Sequence, residues 1–220
     1  MRIVAISDTH NRAERLAIPE GDLLVHAGDF TMRGSVAELE RAARWLGSLR
    51  DRFRAIVAVP GNHDFGFQRA PDAVRARRAF EERGISLLID DACTVDGVRF
   101  IGSPWQPWFY DWAFNFPRAD GGDAAQRTWA KVPGDTNVLV THGPPRGILD
   151  EVFGGRGAGC PHLRARIDDL RDLRAHVFGH IHEAYGSKRR GEVLFVNAAT
   201  CDRERYAPIQ PPIVFEIAAS

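Results

Sequence analysis

Short apolar runs recur along the chain, and each is followed at once by a polar residue. Runs of this length, rich in β-branched residues and followed by turn formers, are typical of strands buried in a parallel sheet. The pattern predicts five such strands, at residues 3–6, 23–25, 56–59, 138–140 and 177–178. It predicts further strands at 85–89, 98–101, 193–196 and 213–217, and we expect the last two to complete a second sheet.

Helical patterns lie between these runs. Ser35 and Glu38 have the spacing of a capping box, and the apolar residues behind them predict a helix that ends at about Arg52. Pro71 suits the first position of a second helix, and Gly84 suits the left-handed residue that follows a helix end. Strands that alternate with helices predict an α/β fold.

The polar residues behind the five runs are those that bind metal ions. In open α/β sheets, ligands bind outside the carboxyl ends of the strands, so we expect these residues to meet at one place. Taken singly, each is weak, since an Asp before a turn Thr is more often a turn or cap residue than a ligand. Taken together, the strand-end set is the main signal: Asp8, His10, Asp29, Asn62, His63, His142, His180 and His182. His26 and His176 lie inside apolar runs, and we interpret them as core or edge histidines.

The chemistry of this set favours a dinuclear centre. Carboxylate, imidazole and amide ligands without thiolate suit manganese, iron or zinc. A single zinc site needs only three or four ligands, so eight candidates suffice for two ions. Two such ions clamp the attacking and leaving oxygens of an in-line displacement and acidify a shared water, which is typical of phosphate-ester hydrolysis. No protein nucleophile is then required.

Composition restricts the partners. Lys plus Arg and Asp plus Glu are 29 each, so no global field favours nucleic acid or an anionic membrane. An apolar fraction of 44% in 220 residues predicts one domain over 1–220. The first apolar run is far too short for a signal peptide, and the three cysteines lack CxxC spacing. We expect a cytoplasmic protein with reduced cysteines that have no redox or metal role, no stable nucleic-acid complex and no membrane association.

The polar blocks also match a known family. Their order is Asp8-Thr9-His10, Gly28-Asp29, Gly61-Asn62-His63-Asp64, Thr141-His142 and Gly179-His180-Ile181-His182. This series resembles the calcineurin-like metallophosphoesterases. The stretches GSPWQPWFYDWAFN, THGPP, FGHIHEAYG and NAATC look like the metallophosphoesterase-domain-containing subgroup, which is close to the class III cyclic nucleotide phosphodiesterases. The resemblance implies a four-layer α/β/β/α sandwich with its site at the carboxyl ends of the strands.

The resemblance also implies roles. Two divalent ions, manganese or iron with zinc as an option, would be held by three ligands each and by one bridge. The first ion would take Asp8, His10 and His182, the second Asn62, His142 and His180, and Asp29 would bridge them. His63 and Asn62 would contact the substrate, and His63 would stabilise the pentacovalent phosphate or protonate the leaving oxygen, while Asp64 would orient the His63 ring. The family's usual acid three residues after the bridging Asp is replaced here by Met32.

The substrate expected from these observations is a small nucleotide phosphodiester, including cyclic ones, cleaved by a metal-bridging hydroxide. A phosphomonoesterase and a catalytically silent metal-binding scaffold are the alternatives. Arg146 is either a phosphate contact or a surface arginine, and the tryptophan-rich loop at about 103–133 is either a base-stacking lid or a local core. Relatives often dimerise, so a homodimer is a further option.

Overall fold

The structure, a computed structural model, describes residues 1–119, 121–202 and 207–218. Asp120, within the tryptophan-rich stretch, and residues 203–206 and 219–220 of the domain expected over 1–220 lie outside these ranges. The strands are β1 Arg2–Ile6, β2 Leu23–His26, β3 Ala55–Ala58, β4 Ile85–Leu87, β5 Asp91–Val95, β6 Val98–Ser103, β7 Val138–Thr141, β8 Glu151–Val152, β9 Arg156–Gly157, β10 Ala175–Phe178, β11 Gly186–Arg190, β12 Val193–Asn197 and β13 Ile213–Glu216. The α-helices are α1 Val36–Gly47, α2 Asp72–Glu81, α3 Gly121–Trp129 and α4 Pro161–Asp169.

Two sheets carry the fold. The first has the strand order β13-β1-β2-β3-β4, the second has β11-β12-β10-β7-β6-β5, and β8 pairs with β9 in a small hairpin. The inner strands of both sheets are parallel, and β13, β11 and β5 add antiparallel edges. The expectation for residues 213–217 was wrong in one respect. β13 joins the first sheet beside β1, where Phe215 and Ile217 are buried between the two sheets.

Alternation along the strands produces four layers. On β1, Ile3 and Ala5 face the second sheet and pack against residues such as Val140 and Val177. Val4 and Ile6 face the other way and pack against α1 and α2. The outer face of the second sheet packs against α3 and α4 through Leu139, Phe178, Trp129, Leu163 and Ile167. The α/β/β/α architecture is therefore confirmed.

The first two helices begin and end for local reasons. Ser35 Oγ accepts a hydrogen bond from Glu38 N at 3.3 Å, and the Glu38 carboxylate accepts one from Ser35 N at 2.9 Å. This capping box is confirmed, but α1 ends at Gly47, and a 3-10 turn follows at Arg50–Arg52. Pro71 lies at the N-cap of α2, one residue earlier than expected. Among the described residues no helix combines the length and hydropathy of a membrane span.

Candidate metal centre

The carboxyl ends of strands from both sheets meet at one place. β1, β2 and β3 contribute from the first sheet, and β7 and β10 contribute from the second. The sheets are joined there by a bridge between Ser7 and Ala199 and by Thr200 N donating to Ser7 O at 2.9 Å. The eight strand-end residues predicted from the sequence all lie in this crevice, where contacts link each to another of the set. Two layers of the sandwich thus build one site.

Asp29 lies at the middle of the crevice. Its Oδ2 is 3.4 Å from Nε2 of His142, 3.8 Å from Nε2 of His10 and 4.0 Å from Nε2 of His63. Asp29 also belongs to two groups whose ligand atoms lie within 4.8 Å of one another, one with His10 and His63 and one with Asp8 and His142. One carboxylate shared by two groups is the geometry required of a bridging ligand.

The three imidazoles around Asp29 are oriented by backbone carbonyls. Nδ1–H of His142 donates to Ala27 O at 2.9 Å, that of His10 to Thr31 O at 3.1 Å, and that of His63 to Met32 O at 2.8 Å. A proton on Nδ1 leaves Nε2, the nitrogen that faces Asp29, as the atom available to a metal ion. All three carbonyls belong to the segment that follows β2, so one loop sets the tautomer of three rings.

Asp8 contacts two further candidate ligands, His180 and His182. Its Oδ2 accepts a hydrogen bond from His180 N at 3.0 Å, and its Oδ1 lies 3.2 Å from Nε2 of His182. Nε2 of His142 is 2.9 Å from Oδ1 of Asn62, which places the amide ligand beside the group formed by Asp8, Asp29 and His142. The candidate ligands therefore lie together around Asp29, and their division between two ions stays a prediction.

Sequence reasoning missed Cys201 as a neighbour of the site. Its buried Sγ lies 3.4 Å from both ring nitrogens of His182 and forms a group with His10 and His182 within 4.8 Å. The signal was present, because Cys201 follows the buried strand β12 as the other site residues follow their strands. A thiol in this position extends the donor set toward softer ions.

Asp64 has a different role from the one expected. The His63 ring is oriented by Met32 O, whereas the buried Asp64 carboxylate accepts hydrogen bonds from Phe30 N, Thr31 N, Thr31 Oγ1 and Gly61 N, at 2.8 to 3.2 Å. These contacts tie the loop after β2 to the loop after β3. Burial and the charge of Asp29 raise the pKa of Asp64 to about 7, against the donated hydrogen bonds, which lower it.

The charges in the crevice depend on burial and on each other. Burial acts to raise the pKa of Asp29, but the neighbouring imidazoles, His142 foremost, together hold that pKa well below its usual range. Burial acts to lower the pKa of His142, but Asp29 outweighs it and raises the pKa to about 9. Burial lowers the pKa of His10 to about 4 and that of His180 to about 3. His10 and His180 are therefore neutral at pH 7, as metal binding needs, whereas His142 holds a proton that it would release to a bound cation.

The residues present fit two divalent cations. Asp8 and Asp29 are buried carboxylates whose oxygens lie within 4.8 Å of each other, and buried like charges require a compensating cation. Glycines make the close approach possible. A Cβ at Gly61 would collide with Oδ1 of Asp29, and a Cβ at Gly179 would collide with Oδ2 of Asp8. The space around both carboxylates is thus kept clear by residues without side chains.

The ligand-bearing turns hold an unusual backbone. Asp8, His10, Asp29 and His180 have φ of 56°, 40°, 57° and 68°, in the left-handed region that non-glycine residues rarely adopt. Each such residue costs roughly 1–2 kcal/mol relative to the right-handed conformation. Local backbone strain of this kind is concentrated at functional sites.

Two buried histidines support the ligand loops without being ligands. Gly28 N donates to Nδ1 of His26 at 3.3 Å, so the ring proton is on Nε2, which donates to Thr9 Oγ1 at 2.9 Å. In the second sheet, Thr141 Oγ1 donates to Gly143 O at 2.7 Å and accepts from Nε2 of His176 at 2.8 Å. The expectation that both are core residues is confirmed, and each holds a threonine next to a candidate ligand.

The tryptophan-rich stretch divides into a core part and a site part. Trp105 packs against Phe116 at 5.9 Å between ring centroids, and Trp129 is buried at the end of α3, which occupies a segment expected to be irregular. Trp112 instead stacks on the His63 ring, with centroids 4.0 Å apart and planes 29° apart. Phe109 meets the His180 ring edge-on at 5.8 Å. The local-core interpretation therefore holds for Trp105 and Trp129, and base stacking by this stretch stays a prediction.

Arg146 lies on the surface after the His142 loop. Its Nη1 donates to Gly157 O at 2.5 Å, which fastens the β8–β9 hairpin to this loop. The side chain is exposed, so its contact with a phosphate stays a prediction.

Comparisons with known proteins agree with this geometry. A family model described as calcineurin-like phosphoesterase matches residues 1–184. Metallophosphoesterase domain-containing protein 1 of Homo sapiens is 39% identical over 236 residues, which cover 98% of this chain and 71% of that protein. A 3′,5′-cyclic-nucleotide phosphodiesterase of Nostoc is 23% identical over 91% of this chain and 72% of its own length. The crystal structure of TT1561 of Thermus thermophilus has a TM-score of 0.61 at 14% identity, covers 89% of this chain and 88% of its own, and resembles it in fold.

Proposed function

The chain belongs to the calcineurin-like phosphoesterase family, and on that premise we propose that it is a metal-dependent phosphodiesterase for small nucleotide esters, cyclic ones included. The proposal depends on one observation above all, the position of Asp29 within 4.0 Å of three imidazole Nε2 atoms on strands of both sheets. The distant similarity to a cyclic-nucleotide phosphodiesterase supports the same substrate class.

Each candidate ligand has a proposed place. Asp8, His10 and His182 would hold one ion, Asn62, His142 and His180 the other, and Asp29 both. When bound, two manganese, iron or zinc ions neutralise charge on the phosphoryl group and acidify water. The loop after β2 keeps the rings of His10, His63 and His142 in the required tautomer, because three of its carbonyls accept their Nδ1–H protons.

His63 is the proposed proton donor. Its Nδ1–H is held by Met32 O and its ring lies flat against Trp112, so Nε2 is directed toward the space beside Asp29. From there a protonated Nε2 can donate to the leaving oxygen of an ester. Trp112 excludes water from the other face of the ring. Asn62, adjacent in sequence, would contact the phosphoryl oxygens beside the second ion.

A diester is favoured over a monoester by the charges that surround the crevice. Asp8 and Asp29 are ionised, and Arg146, the basic residue expected to contact phosphate, is bonded to Gly157 O. A singly charged diester has less need of a cationic side chain beside the ions than a dianionic monoester has. The three cysteines are free thiols, which fits a reducing compartment and a cytoplasmic location.

The test is hydrolysis of bis-p-nitrophenyl phosphate and p-nitrophenyl phosphate by metal-stripped protein refilled with manganese. We expect faster cleavage of the diester, and loss of both activities when the metal is withheld. Faster cleavage of the monoester would make the protein a phosphatase and overturn the diester proposal. Two bound ions with no turnover of either ester would favour the silent scaffold.

A further inference from the structure

Three consecutive aromatic side chains stand exposed next to the candidate metal centre. Trp108, Phe109 and Tyr110, here called the aromatic row, are 42%, 46% and 66% exposed. Large apolar side chains that are left in water side by side usually mark a binding surface. The exposure of these three rings therefore indicates a binding surface beside the candidate metal centre.

The backbone under the row is fixed by polar contacts. Asn115 Oδ1 accepts from Phe109 N at 3.3 Å, and Asn115 Nδ2 donates to Phe109 O at 3.3 Å and Tyr110 O at 2.7 Å. Gln106 N donates to Phe114 O at 3.0 Å, and Phe116 N donates to Gln106 O at 2.9 Å. The loop is closed at its base and braced at its tip, so the three rings are presented outward without being buried.

The aromatic row starts at the candidate ligand His180 and extends outward from the crevice. Phe109 meets the His180 ring at 5.8 Å, Tyr110 meets Phe109 at 4.7 Å, and Trp108 lies 6.5 Å from Tyr110. The guanidinium of Arg118 lies over the far ring, 4.8 Å from the Trp108 centroid. A group attached to a phosphoryl at the metal centre and directed outward on this side would pass along these rings.

We infer that the aromatic row binds the planar aromatic ring of the substrate, which makes Phe109 and Tyr110 specificity-determining residues. The inference rests on the proposed function and names the part of the ester that this side of the site recognises. A nucleobase has a flat apolar face that pairs with aromatic side chains at roughly 1–3 kcal/mol per base. Continuity with His180 favours a substituent of the bound ester over a separate partner, since the row starts inside the crevice.

The test compares two product-like ligands that differ only in the base. Binding of adenosine 5′-monophosphate and of ribose 5-phosphate to manganese-loaded protein is measured by isothermal titration calorimetry. We expect the parent to prefer the nucleotide by about tenfold. The double variant Phe109→Ala, Tyr110→Ala should bind both ligands equally, with ribose 5-phosphate unchanged. Val74→Ala, which shortens a 76% exposed apolar side chain on α2, is the control and should keep the preference.

Several outcomes would overturn the inference. It fails if the parent shows no preference for the nucleotide, or if the double variant keeps it. It also fails if sedimentation shows that the substitutions abolish a dimer of the parent while the preference survives, because the row would then be a contact between two copies. If the parent prefers the nucleotide but hydrolyses no ester, the result supports base binding by the aromatic row and refutes the proposed function. If the parent hydrolyses the ester but does not prefer the nucleotide, the result supports the proposed function and refutes base binding by the aromatic row.

Discussion

Asp64 offers the most direct test of how the site is built. Its carboxylate accepts three backbone N–H groups and one hydroxyl from two loops, all of them buried. Asp64→Ala leaves the N–H groups of Phe30, Thr31 and Gly61 without this acceptor, while Thr31 Oγ1 can still donate to His63 O at 3.2 Å. An orphaned buried donor costs roughly 1–3 kcal/mol.

The expected loss of stability follows from that count. Removal of the buried carboxylate recovers part of the cost of desolvating it, so we expect the free energy of unfolding to fall by about 3–5 kcal/mol. In a chain of this size that corresponds to a drop in Tm of about 6–20 °C. Asp64→Asn keeps one side-chain oxygen as an acceptor, so its loss should be about half as large.

The assay is urea unfolding of the metal-free protein in a chelator, followed by circular dichroism. Asp51→Ala, at an exposed aspartate in the 3-10 turn after α1, is the matched control and should stay within about 0.5 kcal/mol of the parent. A loss below about 1 kcal/mol for Asp64→Ala would refute the reasoning that this carboxylate ties the loops together. A loss confined to the metal-loaded protein would show that Asp64 acts through the ions instead.

Substitutions at three further residues test the ligands and their supports. Asp29→Asn should weaken both ions at once without unfolding the protein, and two manganese ions retained after dialysis would contradict the bridging role. His63→Ala should keep its manganese but lose roughly 10²–10⁴-fold in kcat; a rate within a few-fold of the parent would exclude it as proton donor. His176→Leu removes the donor to Thr141 Oγ1 and should weaken manganese binding at His142 about tenfold, and His176→Gln should recover part of that loss. Equal affinity in both His176 variants and the parent would show that the residue only fills space.

The sequence predicts much of this fold because its buried strands are short, apolar and followed by ligands. Edge strands are harder to predict from the sequence. β5 and β11 are largely exposed and polar, so their residues carry no apolar run, and their pairing is decided by the neighbouring strand. The place of β13 beside β1 is also a tertiary choice, since its apolar face suits either sheet.

The candidate ligands could be predicted for a similar reason, because strand ends converge whatever the details of the loops. The groups that orient these ligands could not be predicted. The carbonyls of Ala27, Thr31 and Met32 carry no residue-type signal, since every residue has a carbonyl. The family resemblance likewise assigned the orientation of the His63 ring to the side chain of Asp64, whereas the backbone carbonyl of Met32 performs it. Trp112 stacks on His63 through the path of a long loop, which spacing alone does not define.

The left-handed turns have a consequence for laboratory evolution. Asp8, His10, Asp29 and His180 occupy a conformation that glycine adopts without strain, so replacing any of them with glycine relieves local strain while it deletes a ligand. The relieved strain would offset part of the cost of the lost side-chain contacts, so a selection for heat resistance alone would protect these codons less than their burial suggests. A selection that retains metal binding has to find its gains elsewhere, among the helices and the outer faces of the sheets.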